Sequence, residues 1–319
     1  MKYLGLRLLH SALLLWGVSL LAFLFVAAAP GDFADALRLN PQVSGTTIAA
    51  TRARYGLDKS FPIRYARWIG NVARGDLGYS FAYDAPVASL IWTRARNTLF
   101  LTIIATLVAW LIAVPLGVWS ASRRHGAANI VSTGVSSLIA VPDILLALGF
   151  LYLAVQTGWF PTGGMVSVAF DQFGYWAKLR DLIAHLTLPT MTLVIGMLPV
   201  LAQHARAAVA EALDAPFIRS ARAHGIPQRR LLFSYALPFA ANPLISLFGL
   251  SLAALLSGSL LVEVIMSWPG LGPLILGAVE SRDIYVVVAS VLASTIFLLA
   301  GNWVSDLLLY ANDPRIRAE

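Results

Sequence analysis

Arg219-Ser-Ala-Arg-Ala-His-Gly225, resumed nine residues later by Tyr235-Ala-Leu-Pro238, is a charged island between two long apolar runs. Ala212-Leu213, Phe217-Ile218 and Ala221 recur around it at the spacing of one helical face, which predicts a short amphipathic helix. Gly225 followed by Ile226-Pro227 predicts the end of that helix, because glycine closes a helix in left-handed backbone and proline cannot continue one. The pattern is small-small-x-x-x-Gly, nine residues, then x-x-Leu-Pro. A segment of this kind lies along a membrane surface and turns sharply back into the apolar phase. By composition it is either an ordinary positive-inside loop or a docking loop whose apolar stripe seats in a partner's groove, with Arg219, Arg222, Arg229 and Arg230 facing headgroups or partner carboxylates.

The flanking runs set the solvent. Of 319 residues, 58% are hydrophobic and 12% charged, whereas a soluble domain carries about 25% charged residues. Six stretches, near 8–29, 98–119, 129–156, 186–208, 239–262 and 284–310, reach the roughly 20 apolar residues that a helix needs to cross a bilayer. The fold class is therefore an all-α polytopic membrane protein with six transmembrane helices. The first run has the outline of a signal peptide, with Lys2 and Arg7 ahead of it and Ala27-Ala28-Ala29 at its end. At roughly 18 apolar residues it exceeds a usual signal core, and Pro30 comes directly after it, so it is expected to remain as an anchor.

Lys and Arg in short loops set the orientation. The Arg123-Arg124-His125 turn, the Arg219/Arg222/Arg229/Arg230 loop, the N-terminus and the Arg315/Arg317 tail fall on one side, which places both termini in the cytoplasm. Opposite loops balance Lys178 and Arg180 against Asp171 and Asp181, and Arg282 against Glu280 and Asp283. The expected organisation is an anchor (1–29), a small external domain (30–97) and a five-helix core (98–319) holding the loop at 209–238. In the external domain Tyr65, Trp68 and Ile69 share a helical face, and Gly75-Asp76 and Asp84-Ala85-Pro86 are turn signals. The net charge of +7 is spread over loops rather than gathered in a stripe, so membrane lipid explains it and no nucleic-acid partner is expected. With no cysteine there is no disulfide, thiolate metal site or Cys nucleophile.

The island and its spacing resemble the cytoplasmic docking loop of ABC-transporter permeases, the "EAA" loop, in which Arg219, Ser220, Ala221, Arg222, Gly225, Leu237 and Pro238 would hold the ATPase. Further landmarks are similar to the first permease subunit of dipeptide and oligopeptide ABC importers along nearly the whole chain. Tyr55-Gly-Leu-Asp58, Tyr65, Trp68, Gly75-Asp-Leu-Gly78, Ser80 and Pro86-Val87 resemble its external domain, and Arg94 with Thr98-Leu99 its lead-in to the second span. Val141-Pro142, Gly158-Trp-Phe-Pro161, Ser267-Trp-Pro-Gly-Leu-Gly272 and the tail Asp313-Pro-Arg-Ile-Arg317 come next, in order. Two positions depart from the general loop pattern, Arg219 in place of Glu and Tyr235 in place of Ile; the peptide subgroup often carries Arg at the first.

The resemblance implies a permease subunit of the cell inner membrane that works by alternating access. Its implied partners are a second permease forming a heterodimer, two ATPase subunits and an external substrate-binding protein. Dipeptides or oligopeptides lead as cargo, with glutathione, nickel chelates or antimicrobial peptides open on the same architecture. A phosphate-binding loop needs a Gly-Lys pair, and none of Lys2, Lys59 and Lys178 comes after a glycine. No cofactor is expected on this chain; ATP and Mg²⁺ would bind the partner subunits, and the chain is not by itself an enzyme.

Ionisable groups inside a membrane are costly and usually functional. Asp143 lies just after Pro142 in the third span and either caps the resumed helix or serves the pathway. Ser251, Ser257 and Glu263 in or near the small-residue stretch of span five are further pathway candidates, and Ala254 and Gly258 have the small-xxx-small spacing of a close helix contact. Trp268, Pro269 and Gly270 are candidates for contact with the binding protein. His204 and Arg206 end span four, where snorkelling accounts for them. A competing class is an intramembrane serine protease, since Gly249-Leu-Ser-Leu252 weakly resembles a nucleophile turn. Its base would have to come from His10, His125, His185, His204 or His224, all in loops or at span ends.

Overall fold

The computed structural model describes residues 2–29, 31, 35, 44–54, 58–123 and 126–312. Pro30, residues 55–57 of the first landmark, Arg124-His125 and the tail from Asp313 lie outside the described residues. In chain order the helices are α1 (Lys2–Ala28), α2 (Gly45–Arg54), α3 (Phe61–Val72), α4 (Val87–Ser122), α5 (Ala127–Ser137) and α6 (Asp143–Thr157). They continue with α7 (Tyr175–Asp214), α8 (Pro216–Ala223), α9 (Gln228–Arg230), α10 (Leu237–Ile265), α11 (Leu271–Glu280) and α12 (Ile284–Asn312). Two short strands, β1 (Tyr79–Ser80) and β2 (Ala85–Pro86), pair antiparallel around the turn at Asp84.

Among the described residues five helical runs are long and apolar enough to cross a membrane: Gly5–Ala28, Val87–Ser122, Tyr175–Asp214, Gln228–Ile265 and Ile284–Asn312. The sixth run is not a straight rod. Ala128–Ala140 and Asp143–Thr157 meet at 97°. Val141 precedes a proline, which disfavours helical backbone there, and it is extended with φ −94° and ψ 113°. The sequence places a break at this site; the structure makes it a right-angled bend. Helix α7 has 40 residues, about 60 Å at 1.5 Å per residue, roughly twice the ~30 Å hydrocarbon thickness.

The chain forms two compact units, Met1–Thr98 with Pro269–Phe297, and Leu99–Trp268 with Leu298–Glu319. The first thus joins the N-terminal third to a segment far along the chain, a grouping that no local boundary signal announces. Its core is aromatic. The Phe23 ring of α1 meets Tyr65 at 5.6 Å and Trp68 at 5.7 Å on α3, and the Ser19 and Tyr65 hydroxyls share a 2.8 Å hydrogen bond. Beside this core Asp283 is fully buried. Its Oδ2 accepts from Ser80 Oγ at 2.7 Å, the Phe81 amide at 2.7 Å and the Ala82 amide at 3.1 Å. A charge removed from water is tolerable only when hydrogen-bonded in this way.

The second unit is built on close helix packing. Leu101, Ala105, Ala109 and Ala113 recur every fourth residue on α4 and are fully buried. Gly117 continues the stripe; a Cβ there would lie 2.8 Å from the Arg206 backbone nitrogen and 2.9 Å from the Ala202 carbonyl oxygen of α7. Small residues let two helix backbones approach this closely. Gly249 does the same for α10 and α12, where a Cβ would meet the Ser305 side chain at 2.7 Å. By contrast Ala254 is exposed, and a Cβ on Gly258 would make only an ordinary 3.5 Å contact with Asp143.

Replacing Asp283 should loosen the first unit measurably. Asp283→Asn puts an amide donor where a carboxylate oxygen accepted, and Asp283→Ala removes every acceptor, so each should cost about 1.5–3 kcal/mol or more. Thermal unfolding of the purified chain in detergent should show both variants melting below the wild type, Ala lower than Asn. Melting at the wild-type temperature in both would contradict the role given to this carboxylate.

Candidate functional site

The island folds into a short helix, but Ala212 and Leu213 of the expected stripe belong to the end of α7, and the apolar side is used differently. Helix α7 ends at Asp214, Ala215 is extended at φ −64° and ψ 145°, and Pro216 starts α8. Ile218 is fully buried against Val209, Ala212, Leu213, Leu231, Leu232 and Ala236 of this same chain. The apolar stripe expected to seat in a partner is therefore largely spent on the chain's own core. An eight-residue helix is too short to be stable alone, so its inner face must be held by the protein that carries it. Outward, α8 presents Phe217, Arg219, Ser220 and Arg222, all exposed, while Ala221 is half-buried over the cluster.

The exit from α8 is tightly specified. Gly225 takes φ +80°, its amide donates to the Arg222 carbonyl at 3.0 Å, and the Ile226 amide donates to the Ala221 carbonyl at 3.3 Å. This pair of bonds satisfies carbonyls that a helix end otherwise leaves open, and the closing residue must be left-handed. Ile226 packs on the same cluster as Ala221, completing the closure. The chain then passes through α9 into a π-helical turn, Leu231–Ala236, before α10 begins at Leu237. Tyr235, one of the two departures, sits half-buried in that turn. Leu237 packs on the cluster with Ala221, Pro238 is exposed, and the Phe217 and Phe239 rings lie 5.3 Å apart. The two halves of the sequence pattern thus meet in space.

The intramembrane candidates separate into two groups. Ser251 and Glu263 are fully buried; Ser251 Oγ accepts from Trp110 Nε1 at 2.9 Å and donates to the Phe248 carbonyl at 2.7 Å. Gly249 to Leu252 lie inside continuous α10, so the segment that resembles a nucleophile turn is helix. Asp143 and Ser257 keep accessible surface. Asp143 is the first residue of α6 rather than its cap: Pro142 holds the cap position, and no side-chain cap bond forms there. A carboxylate in the first turn is favoured by the helix dipole. The Asp143 side chain lies against Gly196 of α7, where an added Cβ would collide with it, and near Gly258 of α10. Trp268 has no exposed surface and packs with Leu101, Leu193 and Val262; its loop presents Ser267 and part of Pro269, while Gly270 is buried.

Several structural groups escape a reading of the sequence. Arg206 does not simply snorkel: its guanidinium donates to Ser132 Oγ at 2.6 Å and to Asn129 Oδ1 at 3.3 Å on α5. Asp181 accepts from the Ser167 amide at 2.8 Å and from the Ser167 hydroxyl, and its backbone carbonyl contacts His185 Nδ1 at 2.8 Å. That network closes the loop between α6 and α7. The four-residue spacing of Ala105, Ala109, Ala113 and Gly117 was a visible signal of the α4–α7 crossing; the partners of Arg206 and Asp181 carried none. Among the described residues no cluster of three or more His, Asp or Glu could hold a metal ion.

Comparison with known proteins agrees with these elements. A family profile described as "Binding-protein-dependent transport system inner membrane component" matches residues 113–318. The chain is 35% identical over 313 residues to the oligopeptide transport system permease protein AppB of Bacillus subtilis, covering 97% of each. It is 33% identical over 323 residues to the glutathione transport system permease protein GsiC of Escherichia coli K12, covering 99% of each. In fold it is similar to a chain of the MetNI methionine ABC transporter in an inward-facing conformation, with a TM-score of 0.55 and 18% identity over 70% of this chain and 96% of that one.

The Asp143–Gly196 contact is open to direct test. Gly196→Ala fills the space the carboxylate occupies and should cost about 1–3 kcal/mol, as overpacking does. In an Asp143→Ala background the added methyl should be tolerated, because residues that share one space do not contribute additively. Unfolding midpoints of the wild type, both single variants and the double variant measure the coupling. Strict additivity would show that the two residues do not compete for that space.

Proposed function

Since the chain belongs to the family of binding-protein-dependent transport system inner membrane components, we propose that it is the permease subunit of an ATP-driven importer of dipeptides or oligopeptides. The family sets it as a multi-pass component of the inner membrane that works with ATPase and substrate-binding partners. The cargo rests on the 35% identity to an oligopeptide permease across nearly the full length of both chains. Glutathione, itself a short peptide, is the alternative that the 33% identity to a glutathione permease favours. In this reading a second, different permease completes the pore, and ATP and Mg²⁺ are bound by two ATPase subunits. Both termini and α8 face the cytoplasm.

The observation that carries the proposal is α8. Its outer face offers Arg219, Ser220 and Arg222 to a partner, and its inner face is fixed by Ile218 to the end of α7 and to the π-helical turn entering α10. A push on α8 therefore moves the ends of two spanning helices together. α7 and α10 pack against each other and against α6, and packed interfaces shift between discrete arrangements rather than deform continuously. Closure of the ATPases on ATP would drag α8, and the spans would rock to open the pathway to the other side. Asp143 and Ser257 have the surface to face that pathway; Ser251 and Glu263 would act through the packing of α10.

Gly225→Val tests this coupling. A β-branched residue at φ +80° costs about 1–2 kcal/mol, which lowers the population with α8 correctly aimed by about five- to thirtyfold. The variant should insert in the membrane at wild-type level, since its spans are untouched. Co-purification of the ATPase subunits, or peptide uptake per assembled complex, should fall. Unchanged co-purification together with unchanged uptake would remove α8 as the coupling element.

A further inference from the structure

The first compact unit contains a cavity of about 460 Å³ that the transport reading does not use. It lies where α1 ends and α12 begins, at the level where two spanning helices leave the apolar phase. Its walls are apolar, including Phe25, Val279, Ile284 and Val287, and two guanidinium groups, Arg64 and Arg282, line it. Among the described residues neither arginine has a carboxylate within ion-pair distance, and Arg64 Nε is buried with no hydrogen-bond partner. The one acidic side chain at the cavity among the described residues, Asp35, is already paired with Arg52 at 3.0 Å.

Arg64 is half-buried and Arg282 exposed. The Arg64 guanidinium carbon stands 5.8 Å from the centre of the Phe23 ring. Arg282 leaves α11 in left-handed backbone at φ 58°, and its guanidinium lies directly over Gly31, where a Cβ would collide with it. Two cations on apolar walls match an amphiphilic anion. The walls are also continuous with exposed apolar surface, for Phe25 is 71% and Val279 56% exposed. A soluble anion would have no use for that surface, whereas an acyl chain would cover it.

We propose that this cavity binds the headgroup of an anionic phospholipid. The guanidinium groups of Arg64 and Arg282 take its phosphate oxygens, and its acyl chains run along Phe25 and Val279. Planar guanidinium groups suit phosphate recognition. The inference is independent of which solute the protein moves.

Native mass spectrometry of the purified full chain tests it, with phosphatidylglycerol and phosphatidylcholine of identical acyl chains as probes. The wild type should retain phosphatidylglycerol preferentially. Arg64→Gln and Arg282→Gln should each lower that retention on the order of fivefold while leaving phosphatidylcholine unchanged. Arg64→Lys and Arg282→Lys, which keep the charge, should retain most of the preference and so separate lipid binding from a folding defect. Equal retention of the two lipids by the wild type, or a preference unaltered in both Gln variants, would overturn the proposal. Displacement of phosphatidylglycerol by millimolar inorganic phosphate would assign the cavity to a soluble anion and overturn it equally.

Discussion

The last carbonyls of a helix have no partner within it, and next to a bilayer water cannot be relied on to supply one. Among the described residues four helix exits solve that constraint in one way; the first is Gly75 after α3, at φ 85°, whose amide donates to the Val72 carbonyl at 2.9 Å while that of Asp76 donates to the Asn71 carbonyl at 3.0 Å. At Gly225, Ser267 and Arg282 the backbone turns left-handed, with φ of 80°, 51° and 58°, and a pair of amides folds back on the helix. After α10, Ser267 donates to the Val264 carbonyl at 3.3 Å and Trp268 to the Glu263 carbonyl at 2.8 Å. After α11, Arg282 donates to the Val279 carbonyl at 3.2 Å and Asp283 to the Ala278 carbonyl at 2.8 Å. Left-handed backbone in a non-glycine residue costs about 1–3 kcal/mol and persists only where the surroundings impose it. Burial of Trp268 in one case and of the Asp283 carboxylate in the other supplies that constraint.

Each exit aims the segment downstream of it. Gly225 turns the chain from a surface helix back toward α10. Ser267 turns it so that the Trp268 ring enters the core of the second unit. Arg282 sets Asp283 under the Ser80–Ala82 segment and begins α12. The same economy explains why α8 can be so short. Its inner face is anchored by Ile218, its start is fixed by Pro216 and its end by Gly225. The arginines and serine of its outer face stay exposed, and α7, at 40 residues, is longer than a membrane is thick.

Composition alone revealed the spans, because a chain solvated by lipid must be apolar over membrane length. Gly225 and Pro142 were legible because glycine and proline act on their own backbone. The left-handed turns at Ser267 and Arg282 were not, since neither residue type favours that conformation and tertiary packing enforces it. Asp283 looked like one charge in a balanced external loop; its partners lie about two hundred residues nearer the N-terminus, at separations of 201 to 203. Ile218 looked available because periodicity identifies an apolar face without saying what covers it, and Trp268 because a resemblance between loops does not say which way a ring turns. The π-helical turn at Leu231–Ala236 left no mark in composition, since it depends on how the ends of α7 and α10 pack.

The central claim is that the outer face of α8, and not its apolar side, meets the ATPase. The chain contains no cysteine, so single cysteines can be placed at will and cross-linked to the ATPase in an assembled, transport-competent complex. Arg222→Cys should cross-link. Ile218→Cys, at a position with no exposed surface, should not, and neither should Trp159→Cys, which is exposed just beyond the end of α6. Absence of a cross-link from 222, or a cross-link from 159 in its place, would contradict the account.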